Sequence, residues 1–413
     1  MASSRRRVFV TGLGLVSPHG ADPDEAFERL YAGESAIRKV RSGSAESGSD
    51  VLLAPTSFDP TGVAPKIQLA VMDRAAQMAV VAAYRALTAA GLLEDDRGPA
   101  AAGVYMGCAL GGAHAIQEAY RVYYQRQSRK LKPATVPLIM ANAPAAHVSM
   151  RYRMRGPSFT YSIACASSAV AIGEAFRAIR DGYLDRALAG GTEAMLNDGS
   201  IVAWEALSVL ATEHPDGPAA SSRPFAADRS GFVLGEGSAA LMLESEDAMR
   251  QRGAEPIAEI VGFGTSSDAH NLTQPAVEGQ VQALRAALAD AGLAPESIGY
   301  INAHATATMV GDKVEIDAIK TTFGEHAHHL AVSSTKSMHG HLVGAAGALE
   351  LAITLLALKK RRLPPTANLT LPDPACDLDC VPCRGRPAPD IEYALSNSFA
   401  FGGSNAVLVA RRV

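Results

Sequence analysis

The order strand, helix, strand, reactive residue, helix occurs twice along this chain, and this repetition restricts the folds that it can adopt. The segment Val8–Gly14 is echoed by Ala258–Gly264, and an alanine-rich helix ending at Gly91 is echoed by Gln282–Gly292. A strand-like run follows each helix. Repetition of one supersecondary unit indicates a fold built from two similar parts. Chance similarity between alanine-rich segments is the alternative.

Short β-branched runs alternate with longer alanine-rich segments of helical period, which is typical of an α/β fold with parallel or mixed sheets. The predicted strands are Arg7–Val10, Ala101–Met106, Ala187–Ala189, Ala239–Glu244, Ala258–Val261, Tyr300–Ala303 and Ala406–Ala410. The predicted helices are Gln68–Ala90, Ser168–Asp181, Glu278–Ala291 and Leu342–Lys359. Because 413 residues exceed the usual size of one core, we predict two halves, 1–250 and 251–413.

Composition places the chain among globular proteins. Hydrophobic residues make up 48% of it and charged residues 19%, which is enough to bury a core. The net charge of −4 argues against bulk attraction to nucleic acid. No stretch approaches the roughly 20 apolar residues that cross a bilayer, so no membrane partner is expected. Five cysteines are too few for a disulfide framework, which favours a reducing, cytoplasmic location.

The N-terminal segment imitates two functional motifs. Arg5–Arg7 followed by Val8–Val16 resembles a signal peptide, but the run contains two glycines and is followed by Pro18, which favours a first strand. Gly12 and Gly14 resemble the start of a dinucleotide fingerprint. The third glycine is missing, so nucleotide binding is not expected there.

Three of the five cysteines cluster as Cys376, Cys380 and Cys383. Their spacing could hold a metal ion, but three thiolates with no fourth ligand make an incomplete site. The segment is rich in proline and aspartate, which is typical of a surface loop. We therefore expect incidental loop cysteines and no metal cofactor.

Cys165 follows the strand-like segment Tyr161–Ile163 and precedes a helix of small and apolar residues. A cysteine at this position faces unpaired backbone amides and the positive end of the helix dipole, which favours the thiolate. Such a thiolate can attack an acyl thioester. Free cysteines are also often buried as small hydrophobic residues, so this segment alone leaves both interpretations open.

Two histidine segments follow in the second half. His304 ends the apolar strand Tyr300–Ala303, and in parallel sheets such strand ends commonly carry sites. A lone histidine there is equally consistent with a structural role. The segment Lys336–Gly347 opens the last long helix with a lysine, His339 and His341. A cluster of polar residues before an apolar helix is unusual in a hydrophobic core, so a functional role is favoured.

A glycine turn, Phe401–Gly403, lies within the segment Asn397–Asn405 before the last strand. Such a turn can aim backbone N–H groups into a site, as an oxyanion hole requires. A purely structural turn is the alternative.

Together these segments resemble the elongating β-ketoacyl-acyl-carrier-protein synthases of the thiolase superfamily, over nearly the whole chain. The matching stretches are Val10–Gly14, Cys165 with its serines, Ala189–Glu193, Ser222–Phe225, Asp228–Gly237, Asn302–His304, Lys336–Gly347 and Asn397–Asn405. The resemblance implies a duplicated, five-layered αβαβα thiolase-like fold, with Cys165 in the first half and His304 and His341 in the second. It also implies a decarboxylating condensing enzyme, an acyltransferase in fatty acid, polyene or polyketide elongation.

The same resemblance implies a role for each matching residue. Cys165 matches the nucleophile that holds the acyl chain as a thioester. His304 and His341 match the histidines that promote decarboxylation of the malonyl unit and stabilise the enolate. Lys336 matches the family lysine, with Glu350 as its candidate partner.

Further residues match the oxyanion hole and the binding of the arm and the acyl chain. The amides of Cys165 and Phe401 match the oxyanion hole, the side chain of Phe401 matches the gate, and Leu110 matches the acyl pocket. The hydroxyls that match the phosphopantetheine-binding positions are Thr306, Thr308 and Thr273. Because the arm arrives on the acyl carrier protein, no separate cofactor is expected. The other expected partner is a second copy in a homodimer, or a related ketosynthase-like subunit in a heterodimer.

The sequence departs from the family pattern at several positions. Ala305 and Ala400 stand where glycine is common, which leaves the acyl group open. His339 stands where the family varies, and it is assigned no role. Glu213 lies near the usual position of a carrier-binding arginine. Because an acidic residue stands there, we expect the carrier to dock on basic residues elsewhere, with Lys66, Arg74, Arg126, Arg129, Lys130 and Lys132 as the candidates.

Two other functions are weighed against condensation. A chain-length-determining partner subunit typically lacks the cysteine, whereas this chain retains Cys165 together with His304 and His341. A thiolase or an acyl-CoA-using synthase is the second. The thiolase pattern needs another cysteine in the second half, and none stands near His341 or Gly402.

Overall fold

The computed structural model describes residues 5–43 and 48–413. The strands are β1 Val8–Val16, β2 Arg38–Ser42, β3 Ser49–Ala54, β4 Gly103–Gly107, β5 Ser158–Tyr161, β6 Arg186–Glu193, β7 Leu234–Gly235, β8 Gly237–Ser245, β9 Ala258–Ser267, β10 Ile298–Asn302, β11 Ala331–Ser333, β12 Arg362–Leu363, β13 Arg386–Pro387, β14 Tyr393–Ala400 and β15 Ser404–Arg411. The α-helices are α1 Pro23–Tyr31, α2 Lys66–Leu69, α3 Arg74–Ala89, α4 Ala113–Tyr120, α5 Thr135–Ile139, α6 Ala143–Tyr152, α7 Ser167–Arg180, α8 Asp198–Ala206, α9 Glu246–Gln251, α10 Val277–Ala291, α11 Met309–Phe323, α12 Lys336–His339 and α13 Ala346–Lys360.

Ten strands form a mixed sheet whose two five-stranded halves share one order. The first half runs β5-β4-β6-β8-β1 and the second β11-β10-β14-β15-β9. In each half the first two pairings are parallel and the next two are antiparallel. The halves join where Val8–Val10 pairs with Ala258–Ile260. The duplicated α/β fold expected from the repeat is therefore confirmed.

Helices cover both faces of each half and complete the five layers. Helices α3 and α6 pack on the outside of the first half, and α10 and α11 on the outside of the second. Helices α7 and α13 lie between the two halves. Every residue of Ala346–Leu358 in α13 is buried, as expected for a helix that is apolar on all sides. The two helices that follow the reactive segments therefore meet at the centre of the molecule.

The repeated glycines of β1 and β9 are explained by helix packing. A Cβ atom at Gly14 would lie 2.0 Å from the carbonyl oxygen of Ala82 in α3, and one at Gly264 would lie 2.3 Å from that of Ala283 in α10. Only glycine allows the helix backbone to approach the strand so closely. This packing accounts for the Gly-x-Gly pattern that resembles a nucleotide motif.

Two of the predicted helices have different boundaries in the structure. The predicted helix Gln68–Ala90 is divided into α2 and α3, because the Asp73 side chain accepts a hydrogen bond from Ala75 N and caps a new helix. The last long helix begins at Ala346 instead of Leu342, after a 3₁₀ turn at Val343–Ala345. The strand β1 extends to Val16, beyond the predicted Arg7–Val10.

The cluster Cys376, Cys380 and Cys383 differs in burial along the segment that carries it. Cys376 and Cys380 are buried in the second-half core, so the predicted surface position is wrong for both, while Cys383 is partly exposed. All three are free thiols.

Within residues 5–43 and 48–413, no helix has the length and apolarity that a membrane span requires.

Candidate active site

Cys165 lies in a tight turn at the start of the central helix α7. The turn is the 3₁₀ segment Ala164–Ala166, and Ala164 has a left-handed φ of 42°. The Ser167 hydroxyl holds the turn closed by accepting from Ile163 N at 2.8 Å and donating to Ala164 O at 2.7 Å. The thiol is thus fixed at the N-terminal end of a fourteen-residue helix.

His341 comes from the segment before the other central helix. A parallel bridge holds its backbone, with His341 N donating to Val233 O at 2.7 Å and Gly235 N donating to His341 O at 2.9 Å. The following turn, Val343–Ala345, again starts at a left-handed residue, with a φ of 46° at Val343. The residue equivalent to Cys165 is therefore Gly344, and His341 stands three positions earlier.

The three predicted reactive side chains converge. His341 Nε2 lies 3.0 Å from Cys165 Sγ. The ligand atoms of Cys165, His304 and His341 all lie within 4.8 Å of one another, and the two imidazole rings are 5.4 Å apart between centroids. Residues from both halves thus build one site.

A buried glutamate, Glu315 of α11, fixes the loop that carries His304. Its carboxylate accepts hydrogen bonds from His304 N at 2.9 Å, Ala305 N at 2.7 Å and Asn397 Nδ2 at 2.9 Å. Burial raises the pKa of Glu315, and these donors oppose the shift. The sequence analysis missed Glu315, although an acidic residue beside the apolar Ile316 in a helix near His304 was a usable signal.

The surroundings of the Cys165 thiol act against the thiolate that its position at the helix end favours. Burial raises the pKa of Cys165 to about 12, although the Lys336 charge and the Phe401 amide lower it. Desolvation of the anion thus opposes the effect of the helix end on this pKa. The side-chain group in hydrogen-bond contact with this thiol is Nε2 of His341.

Lys336 is a buried cation close to Cys165 and the two histidines. Its Nζ lies 2.5 Å from Glu350 Oε1, and both side chains are almost fully buried. Burial raises the pKa of Glu350, against the effect of Lys336. Burial, and next the Lys336 charge, lower the pKa values of His304 and His341 well below 6.5. Both imidazoles are therefore neutral at neutral pH and can donate N–H groups.

The Phe401 turn completes the surroundings of the sulfur. Gly402 and Gly403 have left-handed φ values of 90° and 72°, and Gly403 N donates to Ala400 O at 3.0 Å. The amides of Phe401 and Cys165 both face Cys165 Sγ. Two backbone N–H groups beside a reacting sulfur form the arrangement of an oxyanion hole.

A cavity of about 370 Å³ connects these residues to the surface. Thr306, Thr308 and Thr273 all line it, as does Phe401. The Thr308 hydroxyl also caps α11 by accepting from Gly311 N at 3.2 Å. Leu110 is 56% exposed and does not line this cavity in the single chain.

Trp204 is a cavity residue that the sequence analysis missed. Its ring centroid lies 6.1 Å from that of Phe401 and 5.5 Å from that of Phe232, and Phe232 in turn packs edge-on against His341 at 5.4 Å. It is the chain's single tryptophan, which was a usable signal. Aromatic rings therefore connect the predicted gate to the histidine beside the nucleophile.

The basic residues considered for carrier docking differ in their availability. Arg74 forms a bidentate pair with Glu236, through Nε at 2.8 Å and Nη2 at 2.5 Å, and also donates to Thr56 O. It is therefore engaged within the fold. The exposed members of the set are Lys66, Arg126, Arg129, Lys130 and Lys132.

Cys165, His304 and His341 are also the group in the described ranges whose side chains could together hold one metal ion. A tetrahedral site would need a deprotonated thiol and a fourth ligand. The three side chains supply no fourth ligand, so they make an incomplete tetrahedral site.

Comparison with known proteins gives matches along almost the entire chain. The profile described as "Beta-ketoacyl synthase, N-terminal domain" matches residues 5–248, and "Beta-ketoacyl synthase, C-terminal domain" matches residues 257–370. Nodulation protein E of Rhizobium sp. (strain N33) is 42% identical over 408 residues, covering 99% of this chain and 100% of the relative. The 3-oxoacyl-[acyl-carrier-protein] synthase 2 of Staphylococcus aureus (strain N315) is 40% identical over 413 residues, covering 99% of each.

The solved structures agree with the sequence matches. The ishigamide ketosynthase/chain length factor superposes with a TM-score of 0.92 at 34% identity, covering 99% of this chain and 100% of the other. Similarity at this coverage extends through both halves of the chain.

Proposed function

The chain belongs to the β-ketoacyl synthase family, and on that premise we propose that Cys165, His304 and His341 are its catalytic residues. It is a condensing acyltransferase that acts in fatty acid or polyketide chain elongation. The observation that carries the residue assignment is the 3.0 Å contact between Cys165 Sγ and His341 Nε2, with His304 beside it. We include in the proposal the division into halves 1–250 and 251–413, which supply the sulfur and the histidines respectively.

The first step transfers the acyl chain to Cys165. The sulfur attacks the carbonyl carbon of an acyl thioester while His341 Nε2 takes the thiol proton. The amides of Cys165 and Phe401 donate to the oxygen of the tetrahedral intermediate. The carrier thiolate leaves and receives the proton from His341, which returns to the neutral state.

The second step generates the carbon nucleophile. A malonyl thioester enters the cavity with its carbonyl oxygen toward His304 and His341. The bond to the carboxylate breaks, carbon dioxide leaves, and the electron pair moves toward the thioester oxygen as an enolate. A neutral imidazole suits this step, because its N–H group donates a hydrogen bond where negative charge develops without quenching the carbanion. His341 donates in the Nε2–H tautomer, which it adopts once Cys165 is acylated and no thiol proton faces Nε2.

The third step joins the two chains. The enolate carbon attacks the thioester carbonyl on Cys165, and the same two amides hold the oxyanion. The carbon–sulfur bond then breaks, which releases a 3-oxoacyl thioester and leaves Cys165 as a thiolate, and this thiolate takes up a proton from solvent to restore the thiol. Lys336 contributes through its charge, which lowers the pKa of Cys165 and keeps the histidines neutral.

We assign the threonines that line the cavity to the phosphopantetheine arm. Thr306, Thr308 and Thr273 place hydroxyls along the path from the surface to Cys165. The arm arrives on an acyl carrier protein, the substrate carrier that the name of the S. aureus relative includes. The exposed residues Arg126, Arg129, Lys130 and Lys132 form a basic segment that complements an acidic carrier.

The second partner in this proposal is another ketosynthase-like chain. The ishigamide structure pairs a ketosynthase with a chain length factor. A chain of the same fold on the exposed edge of β5 would lie near Leu110, which is why we keep Leu110 as an acyl-pocket residue of the dimer. The alternative function, a chain-length partner without its own chemistry, is disfavoured by the complete set of reactive side chains.

Acylation and condensation test the proposal directly. Purified protein is incubated with acyl carrier proteins that are loaded with different acyl chains, and the mass of the peptide with Cys165 is measured by mass spectrometry. Carrier protein loaded with malonate is then added, and the product is identified. We expect a thioester on Cys165 and a 3-oxoacyl product, both lost in Cys165→Ala, while Cys383→Ser retains them. Product formation by Cys165→Ala, or no acylation with any donor, would contradict the assignment.

A further inference from the structure

His339 is a fully buried histidine between Lys336 and His341 that the reaction scheme does not use. It ends the short helix α12, Lys336–His339, and is followed by Gly340. Both of its ring nitrogens have hydrogen-bond partners in the same turn. A buried imidazole with two local partners restricts the backbone around it more than a side chain that only fills space.

The partners determine which nitrogen carries the proton. His339 Nδ1 lies 2.7 Å from the carbonyl oxygen of Gly340, and a carbonyl oxygen only accepts. Nδ1 therefore carries the proton and donates. In a neutral ring Nε2 then has only a lone pair, so it accepts from the Thr335 hydroxyl at 2.9 Å.

The surroundings keep this ring neutral. Burial lowers the pKa of His339 well below 6.5, and the charge of Lys336 lowers it further, followed by His19 and His341. A protonated ring would lose the lone pair that Thr335 occupies. Burial and these charges thus favour the neutral ring, against the opposite effect of the hydrogen bond to Gly340.

The ring connects the two ends of the turn that separates Lys336 from His341. Thr335 immediately precedes Lys336, and Gly340 immediately precedes His341. Gly340 N donates to Lys336 O at 3.0 Å, and Gly340 itself has a φ of 68° and a ψ of −168°. Such backbone angles are essentially confined to glycine, so the chain turns toward His341 at this residue.

We propose that His339 is a positioning residue whose ring, donating to Gly340 and accepting from Thr335, sets the placement of His341 relative to Lys336. The inference rests on the proposed roles of those two residues. The ring is a brace within one turn and does not touch the reacting atoms. Because small displacements of a catalytic group lower rates strongly, loss of either contact should act on the rate of reaction more than on substrate binding.

A double-mutant cycle tests the brace. Thr335→Val removes the donor to Nε2 at constant shape, and His339→Asn keeps a donor near Nδ1 while removing Nε2. We expect each variant to lower kcat for malonyl-dependent condensation about 10-fold with KM little changed, and the double variant to equal either single one. His326→Asn is the matched control, since His326 bonds a backbone carbonyl, Ile298 O, outside the cavity.

Two readouts separate this inference from the proposed function. In ¹⁵N-histidine NMR spectra of the intact protein, His339 should show the Nδ1–H tautomer, and the rate of Cys165 alkylation by iodoacetamide should fall in both single variants. An Nε2–H tautomer, additive effects, or wild-type kcat in His339→Asn would overturn the brace. Absence of condensation by the wild type, with the expected tautomer and alkylation rates, would instead overturn the proposed function.

Discussion

Cys165 and Gly344 occupy equivalent positions in the two halves: each is the middle residue of a 3₁₀ turn that starts at a left-handed residue and leads into a central helix. A side chain at the second position would clash, because a Cβ atom at Gly344 would lie 2.4 Å from Glu193 Oε2 and 2.7 Å from the backbone nitrogen of Ala109. His341, three residues before Gly344, instead reaches the sulfur of the first half. The duplicated fold therefore yields one site with two different contributions.

The raised pKa of Cys165 predicts how its reactivity depends on pH. With a pKa of about 12, the thiolate fraction grows throughout the accessible alkaline range. We expect the rate of alkylation by iodoacetamide to rise from about pH 7 to about pH 10 without a plateau. Lys336→Met removes a charge that lowers this pKa, so it should slow alkylation at every pH. A plateau near the pKa of an ordinary thiol would contradict the buried state of the sulfur.

Glu193 predicts a pH dependence of stability. Burial raises its pKa from 4.5 to about 7, although Ala109 N donates to it at 2.7 Å. Between these two values the folded chain binds the proton more tightly than the unfolded chain, so this group's stabilising effect is lost as the pH rises toward 7. We expect thermal unfolding of Glu193→Gln to depend less on pH across this window than that of the wild type. Parallel curves for the two proteins would show that Glu193 does not titrate there.

Gly264 predicts a large loss of stability on substitution. A methyl group there would overlap Ala283 O in α10, and a backbone carbonyl cannot move away cheaply. We expect Gly264→Ala to lower the free energy of unfolding by about 3 kcal/mol in denaturant titrations. Gly62→Ala is the matched control, because no atom lies within 4 Å of its added methyl group. Equal stability of the two variants would contradict the close helix–strand packing.

Glu315 predicts a catalytic defect without direct contact to substrate. The Glu315 carboxylate accepts from His304 N, Ala305 N and Asn397 Nδ2. Glu315→Gln replaces one carboxylate oxygen by an NH₂ group, so at least one of these donors loses its acceptor. An unsatisfied buried donor costs about 1–3 kcal/mol, so we expect kcat to fall about 10-fold through displacement of His304. Steady-state condensation assays measure this, with the exposed Glu325→Gln as the control. An unchanged kcat in Glu315→Gln would mean that the loop is held by other contacts.

Trp204 predicts an optical signal for acylation. It is the single tryptophan, it lines the cavity beside Cys165, and its ring contacts that of Phe401. Attachment of an acyl chain to the sulfur changes the polarity around the indole and displaces the neighbouring ring. We expect a change in tryptophan emission during acylation in stopped-flow mixing with acyl carrier, absent in Cys165→Ala. A signal that persists in Cys165→Ala would come from carrier docking and not from acylation.

The sequence by itself determined the duplication, the α/β class, the family and the convergence of Cys165, His304 and His341. The duplication and the α/β class follow from local patterns, because strand and helix periods and glycine spacing are properties of neighbouring residues. The family and the shared site of the three reactive residues follow from the resemblance that their motifs carry. The repeated glycines also have one structural cause in both halves, because each half packs a helix closely against the strand that carries them.

Only the tertiary structure decided the electrostatics and the supporting contacts of the site. Burial raises the pKa of Cys165, which the position at a helix end was expected to lower. Long-range contacts pair Arg74 with Glu236 and bring Glu315 to the amides of His304 and Ala305. The tertiary structure also placed Leu110 outside the cavity of the single chain. Solvent exclusion and long-range partners depend on segments far apart along the chain, so no local pattern of residues specifies them.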